Sequence, residues 1–301
     1  MKPILKYRGG KKAEIPFFID HIPNDIETYF EPFVGGGAVF FHLEHEKSVI
    51  NDINSKLYKF YLQLKHNFDE VTKQLNELQE IYEKNQKEYE EKKALAPAGV
   101  RVENKNEELY YELRNEFNYP SGKWLDAVIY YFINKTAYSG MIRYNSKGEY
   151  NVPFGRYKNF NTKIITKQHH NLLQKTEIYN KDFSEIFKMA KPNDFMFLDP
   201  PYDCIFSDYG NMEFTGDFDE REHRRLAEEF KNLKCRALMI ISKTELTTEL
   251  YKDYIVDEYH KSYSVNIRNR FKNEAKHYII KNYDYVRKNK EEKYEQLELI
   301  H

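Results

Sequence analysis

The sequence predicts an α/β protein with a mostly parallel sheet and one helical insertion, and three observations carry that prediction. Short apolar runs bounded by turn residues recur along the chain, the pattern of buried strands. Segments with helical spacing lie between several of them, which implies βα units. A polar, helix-forming stretch from Ser55 to Phe160 interrupts the alternation.

The predicted strands run from Thr28 to Phe33, Ser48 to Ile53, Thr176 to Asp182, Asp194 to Pro200 and Arg236 to Ser242. Helical spacing covers Ala38 to Glu46 after the first and Glu220 to Lys231 after the fourth. Two later runs, Tyr254 to Tyr259 and Ala275 to Asn282, are expected to close the sheet as an antiparallel edge. Inside the insertion Leu75, Leu78, Tyr82 and Tyr89 recur at helical steps, so QLNELQEIYEKNQKEYEEKK is expected to be an amphipathic helix with a solvated Glu/Lys face. The following ALAPAGVRVENKNEE carries Pro and Gly and is expected to be a connector. The expected organisation is therefore one unit from residues 1–54 and 161–286, a second unit of 55–160 inserted between its second and third strands, and a charged tail of 287–301.

With 301 residues, 41% of them hydrophobic, the chain is long enough for one α/β core and a smaller attached unit. Lys+Arg (47) and Asp+Glu (48) cancel, so net charge gives no sign of a nucleic-acid partner and any basic surface must be local. Cys204 and Cys235 match no ligand spacing, which argues against a disulfide framework and a zinc site; no metal is expected. No apolar run approaches the ~20 residues of a membrane span, and the opening MKPILKYRGGKK lacks a signal peptide's apolar stretch. A cytoplasmic protein without a membrane partner is expected.

Two motifs bear chemistry. The first, Glu31-Pro32-Phe33-Val34-Gly35-Gly36-Gly37, follows a predicted strand and precedes a helical run. Glycines there let the backbone pass close to a bound cofactor and leave helix N–H groups to bind it. Asp52 ends the next strand roughly 20 residues on, where an acidic residue accepts hydrogen bonds from ribose hydroxyls, so the pair implies a nucleoside-containing cofactor. The second motif, Asp199-Pro200-Pro201-Tyr202, ends the fourth strand, at the edge where open α/β sheets place ligands. Two prolines fix the backbone, so the Asp199 carboxylate, the Pro200 carbonyl and the Tyr202 ring form a rigid constellation. An exocyclic amine is a poor nucleophile because its lone pair is delocalised, yet it carries two N–H donors. Two acceptors that bind both favour a tetrahedral nitrogen whose lone pair faces an incoming electrophile, while Tyr202 stacks on the base.

Together with Leu5-Lys6-Tyr7-Arg8-Gly9-Gly10-Lys11, Asn51-Asp52-Ile53-Asn54, Arg143-Tyr144-Asn145 and Asn151-Val152-Pro153-Phe154-Gly155-Arg156-Tyr157, these motifs occur in a fixed order over most of residues 4–282. In that order the chain resembles the Dam family of DNA adenine-N6 methyltransferases, in the arrangement where the cofactor motif precedes the recognition domain and the catalytic motif follows it. The resemblance implies a Rossmann-like methyltransferase sheet with an inserted, largely helical DNA-recognition domain. It implies S-adenosyl-L-methionine as cofactor, bound by Tyr7, Lys11, Glu31, Phe33, Gly35, Gly37 and Asp52, with Asp182-Phe183 against its adenine and Asp199 adjoining. It implies a flipped adenine in double-stranded DNA as substrate, with Asp199, Pro200, Pro201 and Tyr202 catalytic. The stretch from Thr136 to Asn145 resembles the family hairpin that enters DNA, with Arg143 on a guanine, Tyr138 and Met141 as wedges, and Ser139 and Asn145 beside them. Pro153, Arg156, Tyr157 and Lys158 are implied on the DNA backbone.

The resemblance implies GATC or a related short site as target, but many family members that recognise GATC have Tyr-Asn-Gly where this chain has Tyr138-Ser139-Gly140, and the insertion here is longer and more acidic, which argues against an unchanged site. Methylation of an RNA adenine or a protein glutamine, and a catalytically inactive DNA-binding homologue, stand as alternatives. The same chemistry serves a restriction-modification system, with a cognate restriction endonuclease as partner, a mobile element or chromosomal regulation. The basic segment from Ser264 to Arg270 is left between DNA contact and exposed loop.

Overall fold

The computed structural model describes residues 1–7, 9–203, 218–261 and 275–285. Arg8, Cys204, the Ser264 to Arg270 segment and the 287–301 tail lie outside them. In chain order the described elements are α1 (Ile15–Phe18), β1 (Tyr29–Glu31), α2 (Ala38–Leu43), β2 (Ser48–Asn51), α3 (Ser55–His66), α4 (Phe68–Leu95), α5 (Lys105–Asn118), α6 (Asp126–Thr136), α7 (Lys167–Gln174), β3 (Thr176–Tyr179), α8 (Phe183–Phe187), β4 (Phe195–Leu198), α9 (Glu220–Lys231), β5 (Arg236–Ser242), α10 (Glu245–Tyr251), β6 (Ile255–Lys261) and β7 (Ala275–Lys281).

The strands form one seven-stranded sheet in the order β3-β2-β1-β4-β5-β7-β6. All pairings from β3 to β5 are parallel, and β7 is antiparallel to both β5 and β6. Strand order reverses between β1 and β4, which opens a crevice at their carboxyl ends. Both sheet faces are buried, as alternation along β4 and β5 dictates. Phe195, Phe197, Leu238 and Ile240 enter one apolar cluster, and Met196, Leu198, Ala237, Met239 and Ile241 enter the other. The second face is covered by α8, α9 and α10 through Ile186, Leu226, Phe230 and Tyr251.

Helices α3 to α6 lie between β2 and β3, and their buried side chains are continuous with the first sheet face. The periodic Leu75, Leu78 and Tyr82 are buried along the 28-residue α4. Its centre of packing is α6, apolar nearly all round and buried from Ala127 to Asn134, as a helix without a polar face must be. Among the described residues no helix is long and apolar enough to cross a membrane.

Strand ends fall short of the apolar runs wherever a side chain turns the backbone. β3 stops at Tyr179 because Asp182 caps α8, accepting from the Ser184 N–H at 2.9 Å. β2 stops at Asn51 because the Asp52 carboxylate accepts from the Asn54 N–H at 2.9 Å and folds the chain over.

Candidate active site

The glycine turn after β1 has Gly35 and Gly37 at φ 47° and 66°, a left-handed backbone that side chains other than glycine rarely adopt. Space is a second reason. A Cβ on Gly35 or Gly36 would stand 2.8 Å or 2.7 Å from Tyr7, so both glycines admit the ring of the N-terminal segment, and one on Gly37 would meet Phe41 at 2.9 Å. The sequence motif thus makes room for protein as well as for a ligand. Tyr61 of α3 donates to the Gly35 carbonyl at 2.8 Å and fixes the turn from below.

Asp52 lies at the end of β2 facing this turn. Its Oδ2 accepts from the Gly35 N–H at 2.9 Å and Oδ1 from Asn54, which leaves a further lone pair on each oxygen for ligand hydroxyls. Burial pushes its carboxyl up to about 6 against the pull of these two N–H groups. The adjacent Asn51 is buried and ties three loops together. It donates to Pro32 and Lys181 carbonyls at 2.9 and 3.0 Å and accepts from the Lys181 N–H at 2.8 Å. Ile53, the residue after Asp52, is 58% exposed.

At the end of β4 the Asp199 carboxylate meets Lys11 at 2.6 Å. Lys11 is 2% exposed, and its ammonium also donates to the Gly9 carbonyl at 3.0 Å and to the Tyr202 hydroxyl. All three of its N–H donors are therefore directed at protein groups, two of them in the Asp199-Pro200-Pro201-Tyr202 motif. Tyr202 in turn donates to Asp199 Oδ1 at 3.3 Å. Pro200 is buried and Pro201 half-buried. Glu31, 2% exposed, accepts from Tyr29 at 2.6 Å, and burial pushes its carboxyl up to about 8, with the Asp199 charge adding to the effect. It is a neutral acid beneath the site at pH 7.

Phe33 packs against Phe183 and Phe218 at centroid distances of 5.5 and 6.2 Å. Asp182 is gripped by Arg225 through two parallel 2.8 Å hydrogen bonds, and the same guanidinium lies 4.1 Å above the Phe183 ring. Arg225 holds the Asp182 carboxyl at about 2, below the ordinary carboxylate range, and with Ser184 leaves one lone pair on Oδ2 for a ligand.

The segment after α6 forms a hairpin with antiparallel bridges Ala137–Phe154 and Tyr144–Tyr150. Tyr138 is 52% exposed, and Ser139 has φ 53°. Arg143 is exposed and donates to Asn151 Oδ1 at 2.8 Å. Asn145 shapes the hairpin turn, accepting from Lys147 and Glu149 N–H groups at 2.9 and 3.0 Å. Met141 is half-buried and Pro153 exposed. Exposed Arg156 and Lys158 approach Glu107 and Glu90 at 3.9 and 3.4 Å, and Tyr157 lies under the Lys6 ammonium at 4.2 Å. The hairpin is joined to the crevice by Asn134 at the end of α6, which accepts from the Lys6 N–H at 2.9 Å and donates to the Lys6 carbonyl at 2.7 Å.

Asn134 and Arg225 were not among the residues singled out in the sequence, and Asn51 stood there only as part of the Asn51-Asp52-Ile53-Asn54 block. Only Arg225 carried a local signal, since α9 places it at helical spacing near the Asp182 turn.

The sequence matches the family model described as D12 class N6 adenine-specific DNA methyltransferase over residues 7–267. It is 38% identical to the Type II methyltransferase M.CviBI of Paramecium bursaria Chlorella virus NC1A, over 94% of this chain and 100% of the relative. It is 31% identical to the Type II methyltransferase M.MjaIII of Methanocaldococcus jannaschii, over 83% of this chain and 86% of that protein. With the DNA adenine methylase of Escherichia coli strain K12 it shares 30% identity, over 83% and 84% of the two chains. The chain belongs to the D12 class of N6 adenine-specific DNA methyltransferases, site-specific enzymes that act on adenine in DNA.

Proposed function

We propose that the methyl donor is S-adenosyl-L-methionine, held across the carboxyl ends of β1 and β2, and that the acceptor is N6 of an adenine turned out of duplex DNA. The observation that carries this reading is the pinned Asp199: Lys11 and Tyr202 occupy its Oδ1, so Oδ2 is the oxygen that faces a substrate. The donor fits the residues around it. Asp52 keeps acceptor capacity for ribose hydroxyls, Asp182 keeps one lone pair for an adenine amine, and Phe33 and Ile53 supply apolar surface for the adenine faces. When bound, that donor supplies an electrophilic methyl on a sulfonium.

Asp199 and the Pro200 carbonyl accept the two N6 hydrogens and aim the nitrogen lone pair, and Tyr202 stacks on the base. Positioning supplies most of the rate. The proton leaves after transfer, when the amine is cationic and acidic, so Asp199 need not be a strong base beforehand. Lys11, with its donors on Asp199 and Tyr202, serves the catalytic carboxylate in addition to lining the cofactor side.

Residues 1–54 and 161–286 carry the chemistry in this reading, and 55–160 the recognition, on one shared core. Tyr138 and Met141 wedge into the stack, Arg143 reads a guanine, and Pro153, Arg156, Tyr157 and Lys158 follow the backbone. Asn145 acts through the shape of the hairpin turn. The cytoplasm is the compartment that holds such a substrate. The Type II names of M.CviBI and M.MjaIII support a restriction-modification setting with a cognate endonuclease.

The test is incubation with unmethylated genomic DNA and labelled S-adenosylmethionine, then single-molecule mapping of modified bases, with Asp199→Ala as control. N6-methyladenine at one short motif, GATC or another, that vanishes in the control is the expected result. Label on RNA or protein with none on duplex DNA refutes the substrate.

A further inference from the structure

Behind the catalytic motif lies a buried polar cluster that the reaction as described does not use. Glu14 follows the single turn Lys11–Ala13, and its N–H donates to the Lys11 carbonyl at 2.7 Å. Its carboxylate, 5% exposed, accepts from Lys261 at 2.6 Å and Tyr259 at 2.7 Å on β6, and from His277 Nδ1 at 2.9 Å on β7. Burial alone would raise the Glu14 carboxyl, but these hydrogen bonds and the Lys11 charge hold it at about 2. Burial draws His277 below its ordinary value against the pull of Glu14, and its ring packs edge-on against Tyr202 with centroids 5.0 Å apart. The two side chains that hold Asp199 are thus backed by this cluster: Lys11 through the turn and Tyr202 through the His277 ring. Lys261 and Lys11 repel each other, and Glu14, ion-paired with Lys261 and hydrogen-bonded through its N–H to the Lys11 carbonyl, feels the Lys11 charge as well.

We infer that Glu14 is a positioning residue for methyl transfer, the central anion of an alternating chain Lys261, Glu14, Lys11, Asp199 that keeps the Lys11 ammonium on the catalytic carboxylate. The inference rests on the reading of Asp199 as catalytic. The groups that face Glu14 are Lys11 from its own turn, Tyr259 and Lys261 from β6 and His277 from β7; those that face Lys11 are Asp199 and Tyr202 after β4 and the neutral Glu31 of β1. A mere space-filling role for Glu14 would make charge irrelevant. The chain makes charge balance decisive, because Glu14→Gln takes the carboxylate from the buried Lys261 and leaves Asp199 to balance the Lys11 charge alone.

The experiment measures single-turnover methyl transfer from labelled S-adenosylmethionine to unmethylated plasmid DNA, and S-adenosylhomocysteine binding by calorimetry, for wild type, Glu14→Gln, Lys261→Gln and the double variant. Glu14→Gln is expected to lower the rate roughly 10²-fold, the scale of a catalytic group displaced by about an ångström, with ligand binding unchanged. Lys261→Gln slows transfer too, because Glu14 then draws Lys11 from Asp199. Removing both charges restores at least about tenfold over Glu14→Gln, a coupling that independent structural losses do not produce. A wild-type rate in Glu14→Gln, or a double variant slower than either single one, overturns the inference. If Glu14→Gln does not fold, a wild-type rate in Lys261→Gln overturns it. Absence of transfer by the wild-type protein overturns the catalytic reading and this inference with it, whereas wild-type transfer with an unaltered Glu14→Gln rate overturns this inference alone.

Discussion

Glu31→Gln is expected to stabilise the protein, and by an amount that depends on pH. Glu31 is 2% exposed, and its carboxyl is raised from the ordinary 4.5 to about 8. The folded chain therefore binds a proton that the unfolded chain releases between these values, so stability falls as pH rises from 4.5 and levels off above 8. At pH 7 the interval from 4.5 corresponds to ~3 kcal/mol. Glutamine has the same shape, is neutral at every pH, and still accepts from the Tyr29 hydroxyl, so it removes that cost and keeps the hydrogen bond. For a chain of 301 residues ~3 kcal/mol is about 5 °C in Tm. Thermal melts of both proteins at pH 5, 6, 7 and 8 should show a gap that opens by ~1.4 kcal/mol per pH unit and closes near pH 4.5. A gap independent of pH refutes the argument that Glu31 folds as a neutral acid.

Asp52, raised to about 6, keeps both oxygens as acceptors for ribose hydroxyls only when ionised, so S-adenosylhomocysteine affinity should weaken by up to about tenfold per pH unit below 6, and calorimetry on Asp52→Asn should show a flat profile. Arg143→Ala should relax specificity by ~1–3 kcal/mol at one guanine, seen in mapped methylation as modification of near-cognate sites. Asn134→Ala removes both hydrogen bonds to the Lys6 backbone and should destabilise by ~1–3 kcal/mol, with hydrogen exchange accelerated selectively in residues 4–7; uniform acceleration would contradict the local role. Arg225→Met should weaken S-adenosylhomocysteine binding about tenfold while DNA binding stays level, since Asp182 loses the group that orients it.

The sheet was legible because burial on both faces writes itself as short apolar runs, and β5 spans the Arg236 to Ser242 run without change. Ends were less legible, since a cap such as Asp182 or Asp52 overrides the apolar run locally. The glycine turn was legible as a site, but half of its reason was not. That Gly35 and Gly36 make room for Tyr7 depends on a contact between distant parts of the chain. The same holds for Lys11 on Asp199, for Asn134 on Lys6 and for Glu14 under His277. Periodicity reports which face of an element is buried; it carries nothing about which distant partner completes a hydrogen bond. The helix α6 escaped notice for a related reason, because its apolar residues surround the axis and show no stripe.

The N-terminal segment has a consequence for how the chain is made. Residues 2–7 are fixed by groups that emerge much later: the Lys2 carbonyl by His169 Nε2 at 3.0 Å, Ile4 by Lys135 at 2.5 Å and Lys6 by Asn134. On a ribosome, these residues must wait until α6 and α7 have been synthesised before they can dock. Tyr7 and Lys11 belong to this late-docking stretch, so the crevice between β1 and β4 is assembled only after most of the insertion has folded. Such long-range closure slows folding, and it makes competence for chemistry one of the last properties the nascent protein acquires.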